Sequence, residues 1–357
     1  MSSASRSSGR RRSWFVTLIG HCLTMPVRKP IVGMVMGDAG GIGPELIVRT
    51  FVNKEISESA SHFVIGSFDV MKRAADSINE PIAFRRIASV EDLTSADGQI
   101  AVLDCEVERN PQLRWGVVAA SNGSNAVAYM KKAVELASER KIDAVVIAPL
   151  HKEAMHISGF QFADEMAFLG NLTNTTVRNV ISWNNIFRMS VTGHVPLREV
   201  PDLVTRERII PVIDKLWDTL KRLGMASPRI GVAGLNPHAG EGGAFGDEEI
   251  REVAPAVQAA QEMGIQVSGP HPADTLFVRA MKGEFQGVVF LYHDQGNIGM
   301  KSVSLGKSVL VYSGLPFPCT GPTHGTAYDI AGKGEADATS FQLATKLAGD
   351  LANEGAG

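Results

Sequence analysis

Cysteine is scarce in this 357-residue chain, and Cys22, Cys105 and Cys319 lie far apart with no Cys-x-x-Cys pair. That excludes a disulfide framework and a zinc knuckle and suits a reducing cytoplasm, the expected location. Charge of one sign is not in excess either: 35 Lys and Arg against 38 Asp and Glu leave a formal net charge of -3. No general electrostatic attraction to nucleic acid or to an anionic membrane follows, so neither is expected as a partner. A small anionic metabolite stays open. No apolar run approaches the roughly 18 residues of a membrane span. Neither a P-loop nor a GxGxxG fingerprint is present, so a Rossmann-type nucleotide site is not indicated.

The remaining composition, 44% hydrophobic and 20% charged, is that of a globular chain able to bury a large core, with two subdomains expected. Residues 1–29 stand apart. They are rich in serine and arginine, and Arg10-Arg11-Arg12 before a short apolar run has the outline of a twin-arginine export signal. The run is interrupted by His21 and lacks an Ala-x-Ala cleavage site, so a disordered tail is expected. A start placed too far upstream of Met25 or Met34 is the other reading.

From Pro30 the chain alternates strand-like and helix-like segments, which argues for α/β architecture. Strands are expected over 30–36, 63–66, 100–103, 144–147, 186–192, 229–234, 287–291 and 308–312. Helices are expected over 45–52, 70–77, 124–140, 206–222 and 340–352. The helix over 206–222 shows its buried stripe in Ile209, Val212, Ile213, Leu216 and Leu220. In such sheets ligands bind beyond the carboxyl ends of the strands, where loops converge.

Polar side chains gather at those ends. Gly37-Asp38-Ala39-Gly40-Gly41-Ile42-Gly43-Pro44-Glu45 joins the first strand to a helix that Pro44 is suited to begin. It reads either as a tight turn or as a backbone cradle for an anion. Lys152 follows the 144–147 strand as an anion ligand or a solvent-facing helix turn. Asp164 and Glu165 form a carboxylate pair that a helix N-terminus would also favour.

Three histidines recur in one setting: His194, His238 and His293 each follow a strand. Repetition on separate strands points to a divalent-metal site, imidazole suiting zinc, cobalt, nickel or iron. The stretch 291–301 gathers the most chemistry, with His293, Asp294, Gln295 and Lys301 beyond a buried strand.

Taken together, Gly37-Asp38 to Gly43-Pro44-Glu45, His194-Val195-Pro196-Leu197-Arg198, Gly234-Leu235-Asn236-Pro237-His238-Ala239-Gly240-Glu241, Pro272-Ala273-Asp274-Thr275-Leu276-Phe277, Tyr292-His293-Asp294-Gln295-Gly296 and Gly314-Leu315-Pro316-Phe317 strongly resemble the PdxA family of 4-hydroxythreonine-4-phosphate dehydrogenase-like enzymes. The resemblance covers about residues 30–352, leaving 353–357 as a tail. It implies an isocitrate/isopropylmalate-dehydrogenase-like α/β fold of two intertwined subdomains. It further implies a homodimer with its active site at the interface, NAD, and a divalent metal (zinc, or cobalt, manganese, nickel or iron) on His194, His238 and His293. The loop containing Thr323, His324, Gly325, Thr326 and Asp329 resembles the one that wraps NAD adenosine in isopropylmalate dehydrogenases. Asp274 and Lys301 are then candidates for proton handling or carboxylate binding, with Asp294 orienting the site.

Departures from the family pattern bear on the substrate. Where phosphate-using members place a His and a Thr against the substrate, this chain has Glu165 and Met166. Two further phosphate contacts, an Asn and an Arg, fall on Leu310 and Cys319. Each lost charge-assisted hydrogen bond removes about 1.5 to 3 kcal/mol. The expectation is therefore oxidation of a non-phosphorylated hydroxy or diol carboxylate with coupled decarboxylation, such as a terephthalate-type cis-dihydrodiol in aromatic catabolism, with Met166 and Leu310 as apolar walls and Lys152 and Lys301 as carboxylate contacts. The alternatives are a phosphohydroxythreonine or phospho-threonate/erythronate dehydrogenase, and a catalytically silent metabolite-binding paralogue.

Overall fold

The computed structural model describes residues 28–93, 98–105, 107–109, 113–304 and 306–354. The Arg-rich stretch, its export-signal outline and Cys22 lie outside the described residues. No described helix is long and apolar enough to cross a membrane.

Among the described residues twelve strands form one sheet: β1 (Ile31–Val35), β2 (Ser61–Gly66), β3 (Phe84–Ile87), β4 (Ile100–Asp104), β5 (Ala144–Ile147), β6 (Arg178–Trp183), β7 (Ile186–Ser190), β8 (Ile230–Ala233), β9 (Val267–His271), β10 (Gly287–Phe290), β11 (Val309–Ser313) and β12 (Cys319–Pro322). Their order is β3-β4-β2-β1-β5-β12-β11-β6-β7-β10-β8-β9. Two parallel blocks flank an antiparallel centre, because β11 runs against both β12 and β6, and β6 runs against β7. Helices cover the sheet. Strands buried on both faces must be apolar throughout, and β5 (AVVI) and β10 (GVVF) are buried at every position.

The chain crosses between two cores. One draws on residues 32–169 and again on 309–352; two smaller clusters, from residues 180–311, sandwich the other block. The helix Arg206–Arg222 buries Ile209, Val212, Ile213, Leu216 and Leu220 as the spacing predicts. Each such side chain contributes about 1.5 to 3 kcal/mol.

The strands that sequence reading missed have identifiable causes. β9 (VSGPH) and β12 (CTGP) contain Gly and Pro, β6 (RNVISW) begins with two polar residues, and β3 (FRRI) carries two arginines in four residues. The helix His293–Ser304 was also missed, since Gly296 and Gly299 lower its helical propensity. The segment after β10 is thus a helix N-terminus rather than an open loop.

Candidate active site

Three adjacent parallel strands, β7, β10 and β8, carry the three histidines beyond their C-terminal ends. The rings of His194 and His293 lie 5.0 Å apart between centroids. Asp294 Oδ1 is 2.6 Å from His293 Nδ1. An ionised carboxylate only accepts, so Nδ1 donates and Nε2 is left free as a ligand atom. Gln295 fixes this corner: its side-chain carbonyl accepts from the Leu291 N–H at 2.8 Å and its amide donates to the Gly234 carbonyl at 2.8 Å. The end of β10 is thereby tied to the end of β8.

The loop after β8 has a special backbone. His238, Ala239, Gly240, Glu241 and Gly242 all take positive φ, a left-handed run costing about 1 to 2 kcal/mol at each non-glycine residue. Glycine is required at 240, where a Cβ would stand 2.7 Å from Glu249 Oε2. Buried Glu249 holds the loop, its carboxylate accepting from Leu235 N and Asn236 N at 2.7 Å each and from Asn236 Nδ2 at 3.0 Å. The result is an exposed His238, its Nδ1 3.1 Å from Glu241 Oε2.

His238 does not join the other two within one chain. His194 and His293 line a cavity of about 410 Å³ with Met166, Arg178, Arg188 and Lys301. His238 lines a separate groove of about 800 Å³ with Asp274, Phe277, Tyr292 and Asp294. Among the described residues no group of three or more His, Cys, Asp or Glu stands close enough to hold a metal ion. Two imidazoles with a carboxylate behind one of them fit two positions of a divalent-metal site, and a third ligand has to come from outside this cavity.

A third cavity, about 280 Å³, abuts the first through Asn179, Ile181 and Thr323 and contains Lys152, Glu165, Leu310, His324 and Gly325. The expected substrate contacts divide: Met166 and Lys301 line the histidine cavity, whereas Lys152, Glu165 and Leu310 line the adjoining one. Glu165 faces this adjoining cavity rather than the histidines: burial, then the Glu165 carboxylate, holds the Tyr312 phenol protonated. Cys319 is buried and lines a different cavity, with Asp218, Arg222 and Leu315, so it cannot touch a ligand beside His194; burial pushes its thiol up. Asp274 likewise stands with His238 rather than with Lys301.

The first glycine-rich loop resolves toward a docking turn. Asp38 is buried and accepts from Gly40 N at 2.7 Å and from the Tyr328 hydroxyl at 2.9 Å. Tyr328 stacks on His151 at 4.4 Å, and Ile42 N donates to the Thr326 carbonyl at 3.0 Å. The loop thus holds the segment with Thr326 and Asp329 in place. Burial raises the Asp38 pKa, opposed by the Gly40 N–H and the Tyr328 phenol.

Sequence reasoning missed Arg188, which stands in the middle of apolar β7 (IFRMS) and lines the histidine cavity. The charge inside an apolar strand was the available signal.

The family described as "Pyridoxal phosphate biosynthetic protein PdxA" matches residues 58–348. The chain belongs to the PdxA family. It is 38% identical over 320 residues to "Putative D-threonate 4-phosphate dehydrogenase" of Symbiobacterium thermophilum, covering 89% of this chain and 96% of the relative. A protein of the same name from Oceanobacillus iheyensis is 40% identical over 328 residues, covering 91% and 98%. Among solved structures, 4-hydroxythreonine-4-phosphate dehydrogenase from Klebsiella pneumoniae superposes with TM-score 0.84 at 37% identity, covering 91% of this chain and 98% of that one. A terephthalate 1,2-cis-dihydrodiol dehydrogenase from Burkholderia xenovorans gives 0.62 at 26% identity, covering 87% and 94%. The fold is the isocitrate/isopropylmalate-dehydrogenase-like α/β fold of the PdxA enzymes, and the protein is an oxidoreductase of that family. The expected divergence toward a terephthalate-type diol is not supported, since the likeness to the phosphate-named enzymes is the stronger.

Proposed function

We propose that this protein is a homodimeric, NAD- and divalent-metal-dependent dehydrogenase that oxidises a hydroxyl of a small phosphorylated hydroxy acid, of the D-threonate 4-phosphate or 4-hydroxythreonine-4-phosphate type. The observation that carries the reading is a single cavity holding two imidazoles beside three cationic side chains, Arg178, Arg188 and Lys301. Imidazoles suit a divalent cation, and guanidinium and ammonium groups suit a phosphate. The names of the relatives given above support it.

His194 and His293 would hold the cation, with His238 of a second copy as third ligand. The groove around His238 carries exposed apolar groups, Ile298 and Val278 among them, of the kind a second chain covers. When bound, the cation supplies positive charge that acidifies the substrate hydroxyl, and NAD accepts the hydride. Asp294 keeps the His293 ring oriented. Lys301, on the helix His293–Ser304, would hold an anionic group of the substrate in the histidine cavity. Lys152, His324 and Gly325 line the adjoining cavity and would hold the cofactor there, with Thr326 and Asp329 in the loop that Asp38 anchors. Where a carboxylate lies β to the new ketone, its C–C bond breaks, carbon dioxide leaves and the electron pair is taken up by protonation at carbon. Asp274 is the acid–base candidate brought in with the second copy's His238.

The test is NAD reduction by the purified protein with zinc, cobalt or manganese. D-threonate 4-phosphate and 4-phosphohydroxythreonine are compared with their unphosphorylated forms and with a terephthalate cis-dihydrodiol. At least tenfold higher kcat/KM for a phosphorylated acid is expected. Preference for the dihydrodiol would contradict the proposal.

A further inference from the structure

Arg188 is 5% exposed and sits in β7 between apolar neighbours, paired across the sheet with Ile181 of β6 and Val288 of β10. Its guanidinium donates to Ser190 Oγ at 3.1 Å and to Asn297 Oδ1, while Nε has no partner among the described residues. No carboxylate among the described residues pairs with it. Burying an unpaired charge is costly, so such a group persists where a counter-charge arrives from elsewhere.

Its placement indicates what arrives. Directly paired residues point to the same face of a sheet, so Leu310, Ile181 and Arg188 stand in one row, with Leu310 about 10 Å from Arg188 at ordinary strand spacing. Leu310 faces the adjoining cavity and Arg188 the histidine cavity, which also contains Arg178, Asn179 and Lys301. The helix His293–Ser304 packs on the Arg188 stem at Gly296, where a Cβ would come 3.1 Å from Arg188 Cδ and 2.6 Å from the Phe290 ring. A glycine there lets the helix approach and fixes the arginine's stem. Desolvation lowers the guanidinium pKa to about 10, which leaves it charged at neutral pH. Planar and forked, it suits bidentate recognition of an oxyanion.

We infer that Arg188, together with Lys301, receives the terminal oxyanion of the substrate and is a specificity-determining residue of this chain. This rests on the reading of the histidine cavity as the substrate site. It also removes the reason for expecting phosphate to bind badly: contacts absent at Leu310 and Cys319 are replaced from β7.

The experiment measures thermal stabilisation and affinity of the full chain for inorganic phosphate, with succinate as the carboxylate probe, in wild type, Arg188→Met and Arg188→Lys. The KM and kcat for D-threonate 4-phosphate are measured alongside. Expected results are saturable phosphate binding by wild type, about tenfold or greater loss in Arg188→Met with its ligand-free melting temperature little changed, and an intermediate loss in Arg188→Lys. KM should rise about tenfold with a smaller change in kcat, whereas a purely structural role would lower the ligand-free melting temperature and leave anion affinity intact. Unchanged phosphate affinity in Arg188→Met, or in Arg188→Lys should Arg188→Met not fold, overturns the inference, as does a wild type that binds neither anion. Succinate binding lost in Arg188→Met, with no phosphate binding by wild type, would sustain Arg188 as the anion receptor and refute the phosphorylated-substrate proposal.

Discussion

The cavity holding His194 and His293 and the groove holding His238 differ in everything but the imidazole. The first is walled by Arg178, Arg188, Lys301 and Met166 between β6, β7 and the helix His293–Ser304. The second is larger, with Phe277, Val278, Met281 and Ile298 along it and two carboxylates, Asp274 and Asp294. One resembles a receptor for an anion. The other combines acids with uncovered apolar surface, which suits contact with another chain. What reads in sequence as one three-histidine site is, within one chain, two halves of different chemistry.

The largest effect that would separate these halves is on turnover. His238→Ala should lower NADH formation by about a thousandfold or more, as expected when a metal ligand is removed, yet leave phosphate affinity in the cationic cavity near wild type. Phosphate titration of the variant checks this. Glu249→Ala should come next. It leaves the Leu235 and Asn236 N–H groups without their acceptor and releases the left-handed turn, at about 3 kcal/mol, measurable by denaturant unfolding. Again the cost falls on the His238 half.

A smaller effect lies outside both halves and has to be separated from them. Burial lowers the His62 pKa to about 4. The fold therefore keeps this ring neutral, while the unfolded chain protonates it near 6.5. Its contribution is intact above that value and is lost as pH falls from about 6.5 toward 4, amounting to about 2 kcal/mol at pH 5. In His62→Leu, unfolding should become correspondingly less sensitive to acid, read by thermal melts between pH 5 and 7. The smallest effect concerns the loop proposed to hold the cofactor. Tyr328→Phe removes one hydrogen bond to Asp38 and should cost about 1 kcal/mol, with a rise in KM for NAD and little change in phosphate affinity.

Much of this site was legible because its residues sit where strand ends are easily read. His194, His238 and His293 follow apolar runs that are β7, β8 and β10, and Lys152 follows β5. Partitioning was not legible, since His238's direction depends on a left-handed turn held by Glu249, eleven residues away. Cys319 was misplaced because β12 was unrecognised, and strand parity decides which face a side chain takes. Arg188 was passed over as part of an apolar strand, although a lone charge in IFRMS marked it. The expectation that phosphate binds badly weighed four positions, 165, 166, 310 and 319, and not the cationic Arg188 in the histidine cavity.

The central claim, that a working site joins His293 of one copy to His238 of another, is tested most directly by subunit complementation. His238→Ala and His293→Ala homodimers should each be inactive. Mixed and re-paired at random, half the dimers are hybrids and each hybrid retains one intact site, so activity should return to about a quarter of wild type. If the mixture stays as inactive as its parents while hybrids are shown to form, all three histidines act within one chain and the claim fails.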